Sequence, residues 1–471
     1  MLDGTQLKTF RGPSPKHPTG ECVGVIAAKP PPPPSPPPPM PNASVAINFS
    51  SACGSHMVLQ QAPTIAAVYG PVAKGMPPSA KITVSVSASG AAAYTVPAII
   101  TGVVWKALLK PTQAGGSYTI KVSDGTSSAS ISDVTFGDVW YCGGQVMMML
   151  VLLLSRLLLL VLTLCSPAAQ SNMALPLLHT FSRNISRAKA LSGKYNIRIT
   201  GLKGNMNIDQ AWSTVKDAAA GDPQGNNLLH FSSTCYYFGE SMVEKLGAKA
   251  PPIGLIHTAW GGSMIEEWVT PEVMAECAGS TPSYKPNTLW FSNVVPYLST
   301  SLKGFAWYQG ENNCGGVMGN SVQKVGYGCA MPAMVAAWRE AWSKVPGTTD
   351  PLAPFGVVTL ASGGSEGGTD IGGMRMSQTG NFGTLPSPQM PNCFLAHAFD
   401  LGDPWGGSTS CLQDGCCSKQ KYNASTCNKR EVTCKAACAG ITNTSFYMGP
   451  IHPRIKKPVL LIVCTPSVCL R

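Results

Sequence analysis

Five short apolar runs, each closing on a polar or glycine-bearing segment, constrain this chain more than any other feature. They are 135–142 (TFGDVWYC), 252–260 (PIGLIHTAW), 303–308 (KGFAWY), 355–361 (FGVVTLA) and 393–400 (CFLAHAFD). A run that is apolar throughout cannot keep one face in water, so each predicts a strand buried on both sides. Helical patterns fall between them, near 231–247, 288–302 and 330–343. Strands alternating with helices predict a parallel sheet covered on both faces, an α/β domain. Ligands of such sheets bind beyond the carboxyl ends of the strands. There, 252–260 runs into Gly261-Gly262-Ser263, 303–308 runs into Gln309-Gly310-Glu311-Asn312-Asn313, and 393–400 ends at Asp400. Polar residues gathered at several strand ends predict an active site.

The segments before this domain follow different rules. Residues 1–44 predict a disordered, proline-rich start, because PPPPPSPPPPMP at 30–41 favours a stiff polyproline helix that packs no core. From 45 to 134 the period changes to two. Ile82, Val84 and Val86 alternate with Thr83, Ser85 and Ser87, and Tyr118, Ile120 and Val122 alternate with Thr119 and Lys121. Punctuated by glycine and proline, this pattern predicts a small antiparallel β-sandwich.

Charge excludes one class of function. The 471 residues carry 34 Lys plus Arg against 23 Asp plus Glu, a net charge of +11, but the positive residues are scattered and do not interleave with aromatics. A nucleic-acid partner is therefore not expected. Six of the 17 cysteines (Cys411, Cys416, Cys417, Cys427, Cys434 and Cys438) crowd into a polar stretch with no CxxC pair. That spacing argues against a zinc ribbon and for a disulfide-stapled insertion over 404–448. Disulfides, with Asn-x-Ser/Thr sequons at Asn42, Asn48, Asn184, Asn423 and Asn443, predict a glycoprotein that is secreted or resides in an endomembrane or lysosome-like lumen. No secretory signal opens the chain, so the true start is expected to be missing or misassigned. No phosphate-cradling glycine loop and no metal-ligand spacing is present, so no cofactor and no metal is expected.

One segment conflicts with the rest. Residues 146–165 (VMMMLVLLLSRLLLLVLTLC) are long enough to span a bilayer, with Arg156 near the centre. Cutting out 146–170 leaves GDVWYCGGQ joined to Ser171-Asn172-Met173, a strand running into a tight glycine-containing turn and then a helix. Every Val codon begins GT and a Gln codon can end AG, so the 25 residues from Val146 to Gln170 fit a retained in-frame intron. The tail at 460–471 has no element-like pattern either, and is expected to be aberrant.

With the insert removed, the motifs resemble the sialate O-acetylesterase family of SGNH-type carbohydrate esterases. The matching pieces are HMVLQQAP (56–63), GDVWYCGGQ plus SNM, PIGLIHTAWGGSMIEEW (252–268), KGFAWYQGENN (303–313) and GPIHPR (449–454). Weaker matches are AAWREAW (336–342), MRMSQ (374–378) and AFDLGD (398–403). The resemblance implies an SGNH-hydrolase-like, flavodoxin-like three-layer parallel sheet over 135–459, following the sandwich. It also implies removal of O-acetyl groups from a sugar or glycan by an acyl-enzyme route. Ser171 would be the nucleophile and His452 the general base, while His257, inside an apolar strand, is expected to be packed. The third member would be Asp400 or Asp403, with Asp400 preferred because it ends a strand. A Ser–His dyad oriented by a backbone carbonyl is the alternative. Backbone N–H groups of Ser171 and of Gly261-Gly262, with the side chain of Gln309 or Asn312, would meet the oxyanion. Two rival readings follow from the insert: a catalytically dead or misfolded product, and a carbohydrate-binding protein anchored in a membrane, the latter only if 146–165 is a genuine span.

Overall fold

The period-two pattern is obeyed residue by residue. In a computed structural model of the chain, Ile82, Val84 and Val86 are buried while Thr83 and Ser87 face solvent. The structure describes residues 46–72, 75–88, 91–146, 172–180, 182–202, 209–220, 226–277, 285–314, 326–361, 371–401, 453, 456 and 457, and these belong to one compact unit. The apolar segment 147–170, the six clustered cysteines, Ser171, His452 and Asp403 lie outside them.

The first part is built from β1 (Val58–Gln60), β2 (Ala67–Pro71), β3 (Ile82–Ala88), β4 (Ala91–Thr101), β5 (Val104–Leu108), β6 (Gly115–Ser123) and the long β7 (Ser128–Val146). Antiparallel pairing gives the order β2-β5-β4-β3-β6-β7, and β1 lies parallel to β7. The sequence predicts two stacked sheets here, whereas the hydrogen bonds join these strands into one. The eleven-residue β4 explains this, since it pairs with β3 through Ala98 and then with β5 from Ala98 to Thr101.

The second part follows β7 directly. Its elements are α1 (Ser182–Leu191), β8 (Ile197–Leu202), β9 (Asp209–Thr214), α2 (Val215–Ala220), α3 (Asn226–His230), α4 (Ser233–Leu246), β10 (Ile253–His257), β11 (Trp260–Gly261), α5 (Ile265–Trp268), α6 (Pro271–Cys277), β12 (Gly304–Tyr308), α7 (Tyr327–Ser343), β13 (Phe355–Val358), α8 (Ile371–Ser377) and β14 (Cys393–Ala396). Parallel pairing gives β8-β10-β7-β12-β13-β14, with β9 antiparallel at the outer edge. A flavodoxin-like sheet would set its first strand between the second and third. Here the third parallel strand of this sheet, β10, lies between the second, β8, and the first, β7, so the strand order differs from the expected one.

Side-chain alternation along β7 puts helices on both faces of the sheet. Trp140 meets Phe238 of α4 at 4.8 Å between ring centroids, and its neighbour Tyr141 meets Trp338 of α7 at 5.6 Å. Phe305, Trp307, Trp338 and Trp342 extend the second contact into a buried aromatic cluster. Two disulfides, Cys142–Cys235 and Cys277–Cys329, brace these layers and fit an oxidising compartment.

Two sequence expectations shift. The boundary placed between 134 and 135 falls inside β7, which crosses from the antiparallel sheet to the parallel one without a break. The helix expected over 288–302 is a π turn (Trp290–Val294) followed by a 3-10 turn (Val295–Tyr297), because Pro296 removes a backbone donor there.

Candidate active site

The chain leaves β7 toward β8 and β10 on one side and later crosses to β12 on the other. The crevice beyond the carboxyl ends of β7, β10 and β12 is therefore a topological switch point, where ligands of such sheets bind. Gly143 and Gly144, expected in a tight turn, continue β7 instead. Gly144 pairs with Tyr308 at a positive φ of 137°, and a Cβ there would stand 2.2 Å from the Tyr308 carbonyl oxygen. Only glycine permits that approach. Gln145 and Val146 then pair with Trp260 and Gly261.

The loops following β11 and β12 are bonded to each other. Asn312 Nδ2 donates to the Gly262 carbonyl at 2.7 Å, and Gln309 Nε2 donates to Asn313 Oδ1 at 2.7 Å and to the Ser263 carbonyl at 3.3 Å. Asn313, fully buried, also accepts from the Ile265 N–H at 3.0 Å and donates to Glu266 at 2.8 Å. Gly261, Gly262, Gln309 and Asn312 are thus brought together. Gln309 acts there as a brace, since its backbone carbonyl is itself held by Tyr327 and by Gln378.

Asn172, the residue after Ser171, belongs to the same group. Its side chain donates to Glu311 Oε1 at 2.5 Å and accepts from the Lys456 ammonium. Its carbonyl accepts from Thr234 Oγ1 at 2.7 Å, the Met173 carbonyl accepts from Ser232 Oγ, and the Leu175 carbonyl accepts from the backbone N–H of Ser233. Three successive residues at the start of α4 therefore grip the segment after Ser171. No long helix follows Ser171 at once, contrary to the sequence expectation. Residues 172–174 form a turn and 177–179 a 3-10 turn, and the helix start beside them is that of α4.

Asp400 sits elsewhere. It is exposed, beyond the end of β14, and its carboxylate makes no hydrogen bond among the described residues. Three strand spacings, roughly 14 Å, separate β14 from β7. His257 is fully buried with its ring 5.5 Å from that of Phe231, as expected of a packed residue.

Electrostatics sharpen the site. Burial raises the carboxyl of Glu311, opposed by the hydrogen bond from Asn172 and the charge of Lys456. Burial also raises Glu266, and it pushes Glu267 up to about 7. Sequence reasoning missed Glu311, Asn313 and Lys456; the first two stand in the same GENN stretch as Asn312, so their motif was visible although their partners were not.

An α/β fold with amide-bearing loops at its switch point defines a strand-end ligand site of the open-sheet class. A family model described as carbohydrate esterase, sialic acid-specific acetylesterase, matches residues 168–402. The sialate O-acetylesterase of Homo sapiens is 29% identical over 391 residues, covering 77% of this chain and 66% of that protein. That of Pongo abelii is 30% identical over 395 residues with the same coverage. The chain thus spans 66% of the length of these curated relatives. A solved carbohydrate acetylesterase from Xanthomonas citri shares the fold at a TM-score of 0.54 and 24% identity, covering 76% of this chain and 69% of that one. Across residues 168–402 the chain thus resembles the sialic acid-specific acetylesterase family of carbohydrate esterases.

Proposed function

We propose that this chain is a carboxylic ester hydrolase that removes O-acetyl groups from sialic acid or a related sugar through a serine acyl-enzyme. The observation that carries the reading is the bonding of Asn172 to Glu311, which holds the residue after Ser171 at the strand ends beside the loops bearing Gly262 and Asn312. In this reading His452 accepts the Ser171 proton as Oγ adds to the acetyl carbonyl, then returns it to the departing sugar hydroxyl. Water, activated by the same imidazole, releases acetate. Backbone N–H groups of Ser171 and Gly261-Gly262 meet the oxyanion. Of the two candidate side chains Asn312 is the better donor, because Gln309 is buried and committed to Asn313 and Ser263. The exposed position of Asp400 favours the dyad, although Asp400 remains the proposed carboxylate if a triad forms. The proposal takes 45–134 as an accessory, sandwich-like unit and 135–459 as the SGNH-type catalytic unit, acting in a secretory or lysosome-like lumen on O-acetylated glycans.

The test is hydrolysis of an aryl acetate and of O-acetylated sialic acid by the chain as written and by the chain lacking 146–170. The deleted form is expected to turn over both, at least ~100-fold faster than the full chain, since misplacement near 1 Å already costs about that much. Ser171→Ala is expected to abolish turnover. Undiminished hydrolysis by that variant would overturn the reading.

A further inference from the structure

We propose that Lys456 and Lys457 are positioning residues that dock the His452-bearing segment against the turn carrying Ser171. The inference rests on the esterase reading, in which those two residues react together. Lys456 is fully buried. Its ammonium donates to Asn172 Oδ1 and stands 5.4 Å from the centroid of the Tyr308 ring. The far end of the same amide donates to the buried Glu311 carboxylate at 2.5 Å. A cation and an anion therefore face one another across a single side-chain amide. An unpaired buried charge is costly, so each member stabilises the others in this one arrangement.

The next residue reaches a different element. Lys457 Nζ donates to Glu240 Oε1 at 2.6 Å and to Glu244 Oε1 at 2.9 Å, both on α4. Glu240 is fully buried, and Glu244 also accepts from Arg187 at 2.5 Å. Helix α4 is the element that grips residues 172–175 and is bonded by Cys235 to the end of β7. Adjacent lysines thus fasten one segment to the serine turn and to the helix beneath it, which fixes direction as well as place.

Tether lengths give this a functional consequence. Ser171 is one residue from Asn172, about 3.8 Å between Cα atoms, and His452 is four residues from Lys456, at most ~14 Å of extended chain. By chain connectivity alone, the serine and the histidine are tethered by these short lengths to the two residues that share one hydrogen bond. Neither lysine touches the reacting atoms. Their work is to set the register of the general base against the nucleophile, where small errors weigh heavily.

The experiment measures aryl acetate hydrolysis by the chain lacking 146–170 and, in that same background, by Lys456→Met, Lys457→Met and Glu311→Gln, with reactive serines counted by organophosphate titration and with Lys249→Met as an exposed control. Lys456→Met is expected to lower kcat per titrated serine by ~100-fold with KM within about threefold. It should also lose the limb of the pH profile that follows imidazole deprotonation. Lys457→Met should lose roughly tenfold, and Glu311→Gln, which keeps an acceptor for Asn172 but removes the anion, should fall between them. If Lys456→Met folds poorly, the other two variants carry the test. Fewer titratable serines, each turning over at the parent rate with the parent pH profile, would show a merely structural role and overturn the inference. An unsubstituted parent that hydrolyses nothing even without residues 146–170 would instead strike the esterase reading, and the docking role with it.

Discussion

A carboxyl group taken out of water titrates against the fold, and Glu267 is the clearest case. Burial is the main cause of its value near 7, while its hydrogen bond from the Met264 N–H pulls the other way. The folded chain therefore keeps a proton on Glu267 that the unfolded chain has already released, so stability falls as pH rises from about 4.5 through 7. Glu267→Gln should raise the melting temperature at pH 8 and leave it nearly unchanged at pH 4, an effect of at most roughly 3 kcal/mol. Thermal unfolding across that range checks it. At the crevice, Asn312→Ala should lower kcat by ~100-fold with KM little changed, if Asn312 meets the oxyanion. Gln309→Ala should also cost about 1–3 kcal/mol of stability, because it strips a donor from two buried acceptors. Steady-state kinetics together with urea unfolding separate the two roles. Gln309 and Asn312 were legible in the sequence because amides beside a strand end announce themselves. Glu311 was not, since its meaning depends on Asn172, 139 residues away. Lys456 and Lys457 carry no signal in the sequence for the same reason, since their partners lie 284 and 217 residues away.

Among the elements of the parallel sheet, the mostly apolar runs were visible and β8, broken by a charge, was not. The strands β10, β12, β13 and β14 stand where their apolar sequences predict. Strand β8 escaped notice because Arg198 interrupts Ile197 and Ile199, although the guanidinium is spent on Asp133 of β7. Spatial order was beyond the sequence altogether, since nothing in a strand's composition says which neighbour it takes. The Cys142–Cys235 bond was hidden similarly, as its members are 93 residues apart and sit in unrelated patterns. Because it ties the end of β7 to the helix that holds the turn after Ser171, replacing both cysteines with alanine should lower stability by about 2–5 kcal/mol. Activity should fall before the fold is lost. Parallel measurement of hydrolysis and of circular dichroism along a thiol-reductant titration checks the order of events.

On the scale of the whole molecule, both flanks of the apolar segment 147–170 emerge at the crevice. Val146 pairs with Gly261 on one side, and Asn172 joins Glu311 on the other. Removing 146–170 therefore joins two ends that both lie at the crevice, which makes it the most telling change to make. The nineteen-residue strand β7 has a different consequence. One uninterrupted backbone is shared by two sheets, as a single beam shared by two rooms, and neither room stands when the beam is cut. Heating should therefore produce one calorimetric transition for residues 46–401, with equal van't Hoff and calorimetric enthalpies. A protease that nicks within 128–146 should release no folded half, so a chain of this architecture is gained and lost as an indivisible whole.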